Sequence, residues 1–370
     1  MNFEFSEEQE RLRESVRRFL DEQAPIAYVR DLWDDPRGIT DGFWTRFAAL
    51  GVTSLLVPEE YGGAGGGMVD VAVVAEELGR AVNPGAFAST AVGAAGLLAD
   101  LGTAEQHATY LPAIADGTSI ATVALLEPGR RAQWSDPATA ATNASAGSDG
   151  WKLTGTKTHV GDLMAADLVL VAARTPDALA VFAVDPAAAA REPAGTVDGT
   201  RREGTLILDG TSAVRIGTGD ATLGIAQTVD RLHVAAVVDG VGAAARAMEM
   251  SVEYAMTRQQ FGAPIGSFQA VQHLCADMLR NVELARAASY YACWALDAAD
   301  RTEAHRAATM ALAFAGDGLY EVGASTIQVH GGIGYTWEHD AHLFYKRLLT
   351  LQGLGGGSAD QLEELASIVL

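Results

Sequence analysis

The chain has 370 residues, of which 49% are hydrophobic and 20% charged, and its formal net charge is -21 at pH 7. That length exceeds what one hydrophobic core usually supports and predicts two or three domains in a globular protein. The acidic balance excludes nucleic acid and anionic membranes as partners, because phosphate binding needs clustered lysine and arginine.

The N-terminal stretch "MNFEFSEEQERLRESV" is acidic and amphipathic, unlike a signal peptide. No apolar run of about 18 residues escapes interruption by charge, so no membrane span is expected and a cytoplasmic location follows. Two cysteines, Cys275 and Cys293, lie in helical patterns without the histidine spacing of a metal site; they are expected to be buried thiols, with no metal bound.

Residues 1–117 read as an α-helical domain. "SEEQERLRESVRRFLDEQA" begins with Ser6 as N-cap and places Leu12, Val16, Phe19 and Leu20 on one stripe. "TDGFWTRFAALG" and "MVDVAVVAEELGR" predict helices closed by Gly51 and Gly79 as C-caps. The glycine-rich "LLVPEEYGGAGGG" between them lacks phosphate-loop spacing and reads as a connector.

Residues 118–217 change period, with the β-prone runs "SIATVALL", "WKLTGTKTHV", "DLVLVAAR", "ALAVFAVD" and "TLILDG" separated by glycine, aspartate and proline. This spacing predicts a β-barrel or sandwich domain. The Ala/Ser-rich "PATAATNASAGSDG" is expected to hold an edge strand and a hairpin turn. From 218 to 370 long helices return, with short joins, as in an antiparallel bundle.

Two segments carry chemistry. In "YAMTRQQFGAPIGSFQ" a long helix stops near Gly262, which can take a left-handed conformation, and Pro264 prevents continuation. Arg258 near that end either complements the helix dipole or forks onto a phosphate; Phe261 packs in a core or against a flat ring. In "QVHGGIGYTWEHD" paired glycines permit close backbone approach, and Gln328 offers both a donor and an acceptor.

With "YAMTRQQFG" and Gln269 followed further on by "QVHGGIGY", the chain resembles the acyl-CoA dehydrogenase family. The stretch "FWTRFAALGVTSLLVPEEYGGAGGGMVDVAVVAEELGR" is also similar to that family's first domain. The resemblance implies an α+β chain: an N-terminal helical domain, a middle β-barrel or sandwich domain and a C-terminal four-helix bundle. It implies FAD, with Arg258, Gln260, Phe261 and Gln269 facing the pyrophosphate and adenosine half, and Gln328, Gly331 and Gly332 closing from a partner subunit. It further implies α,β-dehydrogenation of an acyl-CoA thioester, with an electron-transfer flavoprotein as electron acceptor.

Three departures from the family pattern stand out. Leu126 and Trp134 replace a threonine and a glycine of the β-domain motif, and "HVGD", His159 to Asp162, stands where the family has a flavin-facing Trp-Ile-Thr-Asn. His159 is then a flavin contact or an exposed strand-end side chain. The family's usual catalytic glutamate is absent, since its position falls in "GLGGG". Glu363 and Glu364 read as a solvated face; some members of the family carry the base on the long bundle helix just before an arginine, so the resemblance implies Asp230, before Arg231, as the base, the alternative being an ion pair with Arg231 or His233. Asp239 is expected to pair with a cation from another helix.

These departures resemble the base-lacking chain of bacterial heterotetrameric, steroid-type acyl-CoA dehydrogenases, implying an α2β2 partner. The competing expectations are a homotetramer with Asp230 as base and a non-catalytic structural paralogue. Small residues at Gly240, Gly242 and Ala243 to Ala245 would leave room for a bulky acyl group.

Overall fold

The computed structural model describes residues 5–129, 132–143 and 150–370. Among these, six α-helices come first: α1 (Glu7–Gln23), α2 (Ile26–Asp31), α3 (Asp41–Ala48), α4 (Met68–Arg80), α5 (Ala95–Leu101) and α6 (Ala104–Ala115). Seven strands follow: β1 (Ala121–Ala124), β2 (Ala140–Asn143), β3 (Trp151–Gly161), β4 (Leu168–Arg174), β5 (Leu179–Val184), β6 (Ala190–Ala194) and β7 (Glu203–Ile216). The C-terminal part contains α7 (Thr222–Thr257), the short strands β8 (Gln259–Gln260) and β9 (Ala263–Pro264), α8 (Gln269–Ala298), α9 (Arg301–His330), α10 (Ala341–Gln352) and α11 (Ser358–Val369).

The chain divides into two compact units. One comprises Asp31–Gly67 and Pro84–Leu232; the other holds the described residues up to Arg30, then Met68–Asn83 and His233–Leu370. The long helix α7 contributes its first turns to one unit and the remainder to the other.

In the β-containing unit the sheet order is β1-β4-β2-β3-β7-β5, and an additional β4–β5 pairing closes it on itself. Closure leaves β4 and β5 without a free edge, which suits their nearly continuous burial. β2 was expected at an edge; it instead pairs antiparallel with β3 and meets β4 at one residue, Ala140 against Arg174. The turn predicted after it lies outside the described residues.

The loop after β1 is held by a buried ion pair. Glu127 accepts from Lys157 Nζ at 2.8 Å, Thr139 Oγ1 at 2.7 Å, and the backbone N–H groups of Thr139 and Ala138 at 2.9 and 2.6 Å. Burial pushes the Glu127 carboxyl upward, but these donors, Lys157 foremost, hold it at about 2.

In the helical unit α1 starts as predicted. Ser6 Oγ accepts from the Gln9 N–H, and the Gln9 side chain accepts from the Ser6 N–H, a capping box. In the β-containing unit Gly51 is left-handed at φ 81, as a cap requires, although α3 already ends at Ala48. Gly79 corrects the sequence expectation: it lies inside α4, not beyond its end, and is buried. A Cβ there would collide with the Asp239 carbonyl oxygen, and one at Gly242 with the Glu76 carbonyl oxygen. α4 and α7 therefore pack backbone to backbone.

Gly240 faces Leu351 and Leu319 in the same way. These contacts let the helices approach closely, and Gly242 and Ala245 also line a cavity with Glu76, Arg80 and Glu249. α8, α10 and α11 pack along α9, whose inward face includes Ala307, Ala311, Leu319 and Val322. Cys293 is buried in α8, whereas Cys275, nearer the start of the same helix, is half-exposed.

Candidate functional site

α7 ends at Thr257, and the chain then forms a tight hairpin, with Gln259 opposite Pro264 and Gln260 opposite Ala263. Both residues of its turn are left-handed, Phe261 at φ 54 and Gly262 at φ 78. Glycine takes this conformation freely, whereas a phenylalanine is strained in it. Phe261 is also 94% exposed, meeting Phe268 edge-on at 6.1 Å. Arg258, Gln259 and Gln260 are exposed as well, and the Arg258 guanidinium makes no ion pair among the described residues.

Gln269 opens α8, whose N-cap Phe268 supplies no side-chain acceptor to the first-turn N–H groups. Arrangement of a cation, two amides and an exposed ring at a helix end suits a ligand with phosphate and a flat ring.

The second motif lies at the end of α9. Gln328 is exposed, and Gly331 ends the helix at φ 63, ψ -144, a conformation essentially confined to glycine. No atom lies within 4 Å of where a Cβ would sit on Gly331 or Gly332, so both present open backbone. The Tyr254 ring, one turn before Arg258, packs on the His330 ring at 4.7 Å and 31°, which joins the two motifs at one end of the bundle. Sequence reasoning quoted Tyr254 and His330 within their motifs but gave neither a role; the contact between them is invisible without the fold.

Asp230, in the β-containing unit, is 3% exposed. Its neighbour Arg231 is committed to Asp100, at 2.6 and 3.2 Å. Asp239 pairs with Arg347 of α10 at 2.8 and 3.0 Å, and Arg347 also donates to the Asn83 carbonyl oxygen at 3.3 Å. The cation from another helix is thus Arg347. Glu363 and Glu364 are exposed, and Glu364 meets His305 at 3.3 Å.

The glycine run is a tight turn between α10 and α11, with Gly355, Gly356 and Gly357 at φ 61, 93 and 89. A Cβ on Gly355 would lie 2.8 Å from Gln361 Nε2, 3.0 Å from Leu312 Cδ2 and 3.1 Å from His233 Cε1. The space a side chain would need is filled.

At the end of β3 the register shifts between Lys157 and Val160, and His159 sits in this bulge at φ 52, exposed, with Nδ1 2.6 Å from Glu203. Asp162, also left-handed at φ 53, is buried and accepts from Ser89 Oγ. Burial pushes its carboxyl up, with the Ser89 hydrogen bond acting against that. Ser89 belongs to a π-helical stretch, Ala88–Ala94, a local irregularity frequent at functional sites. No sequence signal pointed to this pair.

Comparison with known proteins agrees with the architecture. The acyl-CoA dehydrogenase N-terminal domain model matches residues 6–118 and the C-terminal domain model residues 224–370. The acyl-CoA dehydrogenase IpdE2 of Mycobacterium tuberculosis (strain ATCC 25618 / H37Rv) is 34% identical, over 96% of this chain and 93% of its own. A Tcur3481-Tcur3483 steroid ACAD structure has a TM-score of 0.89 at 31% identity, covering 98% of both chains. The ChsE4-ChsE5 complex from Mycobacterium tuberculosis has a TM-score of 0.89 at 27% identity, covering 99% of this chain and 98% of its own.

The exposed arginine-glutamine hairpin and the open glycine turn lie at one end of the helical unit and offer the kind of groups that suit a phosphate-bearing ligand. The chain belongs to the acyl-CoA dehydrogenase family, oxidoreductases acting on CH–CH bonds. Members of the family are FAD flavoproteins. The residues here fit that cofactor: Arg258 for phosphate, open backbone at Gly331 and Gly332, and a buried His330 Nε2 with no donor among the described residues.

Proposed function

We propose that this chain takes part in FAD-dependent α,β-dehydrogenation of an acyl-CoA thioester, as one of two unlike chains in an α2β2 enzyme for bulky, steroid-like substrates. The observation that carries this reading is the contrast between two turns of one unit. The hairpin and glycine turn present exposed polar groups and open backbone, while Gly355, within the run where the family's base would fall, is packed against Leu312, His233 and Gln361. The steroid-like class is suggested by the names of the Tcur3481-Tcur3483 and ChsE4-ChsE5 structures.

When bound, FAD would supply the hydride acceptor. The chain's own part is to hold it: Arg258 charge-pairs with the pyrophosphate, Gln260, Phe261 and Gln269 seat the adenosine half, and Gln328, Gly331 and Gly332 close on the cofactor across a subunit boundary, each chain acting as the partner of its neighbour. The partner chain supplies the carboxylate that takes the α-proton, and an electron-transfer flavoprotein takes up the electrons. The test is a visible absorption spectrum. Purified alone the chain should be colourless or short of flavin, becoming yellow and active when produced with its partner; a fully yellow, active homotetramer refutes the reading.

A second reading is a self-sufficient homotetramer with Asp230, a buried carboxylate on α7, as base. Asp230→Asn should then abolish flavin bleaching by an acyl-CoA while FAD stays bound, and unchanged bleaching dismisses it. A non-catalytic paralogue binding no FAD would show no flavin spectrum with any partner; exposed Arg258 and Gln328 argue against it.

A further inference from the structure

The last residue of α9, His330, is 3% exposed and yet only half hydrogen-bonded. Its Nδ1 lies 2.8 Å from the Thr326 carbonyl oxygen, so Nδ1 carries the proton and donates it. That fixes the tautomer and leaves Nε2 as a bare lone pair, buried and without a donor among the described residues. Buried acceptors are nearly always satisfied in folded proteins, so an orphan beside a candidate ligand site asks for its missing partner. Burial also lowers the imidazole pKa, which keeps this acceptor form at neutral pH.

The surroundings say where a partner could come from. Gly331 and Gly332, immediately after His330, have nothing within 4 Å of their Cβ positions, and Gln328 is exposed two residues before it. The Tyr254 ring lies against the imidazole at 4.7 Å, and the His339 ring at 4.3 Å and 47°. His339 is half-exposed and sits in a bend outside regular helix, with its Nδ1 accepting from the Ala341 N–H at 3.1 Å. It is therefore a cover that a ligand can displace without breaking a helix.

We infer that His330 Nε2 accepts a hydrogen bond from the adenosine half of the cofactor, given by the exocyclic amine or by a ribose hydroxyl, with the His339 side chain giving way. The inference rests on the FAD reading proposed for this site. Pyrophosphate is excluded as the partner because it offers no donor at neutral pH. His330 is thereby a binding residue that tells adenosine from a nucleoside lacking the donor, in addition to packing on Tyr254.

The experiment is FAD binding by quenching of flavin fluorescence, using the flavin-stripped protein in its complete assembly. The probes are FAD, an analogue with a 6-oxo purine in place of adenine, and analogues with a deoxyribose on the adenosine side. Wild type should bind FAD about 3- to 10-fold more tightly than one of these analogues, the size of one neutral hydrogen bond. Loss with the 6-oxo purine assigns the amine; loss with a deoxyribose assigns the hydroxyl.

His330→Phe should weaken FAD by the same factor and abolish the discrimination. His330→Gln, which keeps a donor for Thr326 and an acceptor for the ligand, should restore it. A His330→Phe protein that melts like wild type and keeps both affinity and discrimination overturns the inference, as does a wild type that treats all analogues alike. A wild-type assembly that binds no FAD overturns the underlying cofactor reading as well.

Discussion

Phe261→Asn should make the protein more stable and its ligand site worse. Both residues of the Phe261-Gly262 turn are left-handed, the geometry that type I′ hairpins meet with Asn-Gly. Holding a phenylalanine there costs about 1–2 kcal/mol. Little within the chain offsets that cost, because the ring is 94% exposed and touches Phe268 edge-on at 6.1 Å. Such an aromatic pair contributes about 0.5–1.5 kcal/mol when well packed, and this exposed one belongs at the low end.

Asparagine relieves the strain and forfeits the ring contact, for a net gain of about 0.5–1 kcal/mol and a melting temperature raised by about 1–4 °C. The ring's remaining value lies in what it covers when ligand or partner is present. Full burial of a phenylalanine contributes about 1.5–3 kcal/mol, so FAD affinity should fall roughly 10- to 100-fold. Thermal melts of the flavin-free protein and fluorescence titration of FAD test the two halves separately. An Asn variant that melts below wild type, with unchanged FAD affinity, would show that Phe261 is a packing residue and refute the reasoning.

Other outcomes follow from the buried charges and the glycine run. Asp239→Asn leaves Arg347 as a buried cation without its carboxylate and should cost about 3–5 kcal/mol in urea unfolding, whereas joint replacement, Asp239→Leu with Arg347→Met, should cost much less. His342 is buried, and burial, with Lys346 and Arg30 nearby, pushes its pKa down to about 4. Its folded state then binds fewer protons than the unfolded chain below about pH 6.5, so stability is complete above that value and is lost progressively towards pH 4. The loss is on the order of 3 kcal/mol, and melts of His342→Phe across that window should show a shallower decline. Gly355→Glu should not install a base: its φ of 61 and the crowding by Gln361, Leu312 and His233 predict a less stable protein with no new flavin bleaching. A stable, active variant would contradict the packed description of this turn.

Parts of the molecule legible in the sequence were those that depend on local chemistry. Ser6 as a cap, the period change before β1, Gly262 as a left-handed residue and the two binding motifs each announce themselves within a few residues. What failed depended on which backbone lies opposite. Gly79 looked like a helix end, yet it lies inside α4 and is required by the facing backbone of α7. The Glu127–Lys157 pair joins residues 30 apart across a strand connection, with no periodic signature. The Tyr254–His330 contact joins the ends of helices separated by all of α8, so neither residue could be assigned a role beforehand.

Local penalties in the helical unit are not spread evenly. A strained, exposed phenylalanine, an arginine without an ion pair among the described residues, a buried histidine nitrogen without a donor and a glycine-only helix terminus all occur where α7 and α9 end. Elsewhere in the same unit Asp239 has Arg347 and Gly355 is enclosed by its neighbours, while Val82 is left-handed at φ 42 and Ser358 Oγ is buried without a partner among the described residues. Proteins tolerate unsatisfied local structure where a ligand completes it. The two glycine-rich turns thus differ in their surroundings: no atom lies within 4 Å of a Cβ position on Gly331 or Gly332, whereas Gly355 and Gly356 are crowded by neighbouring side chains.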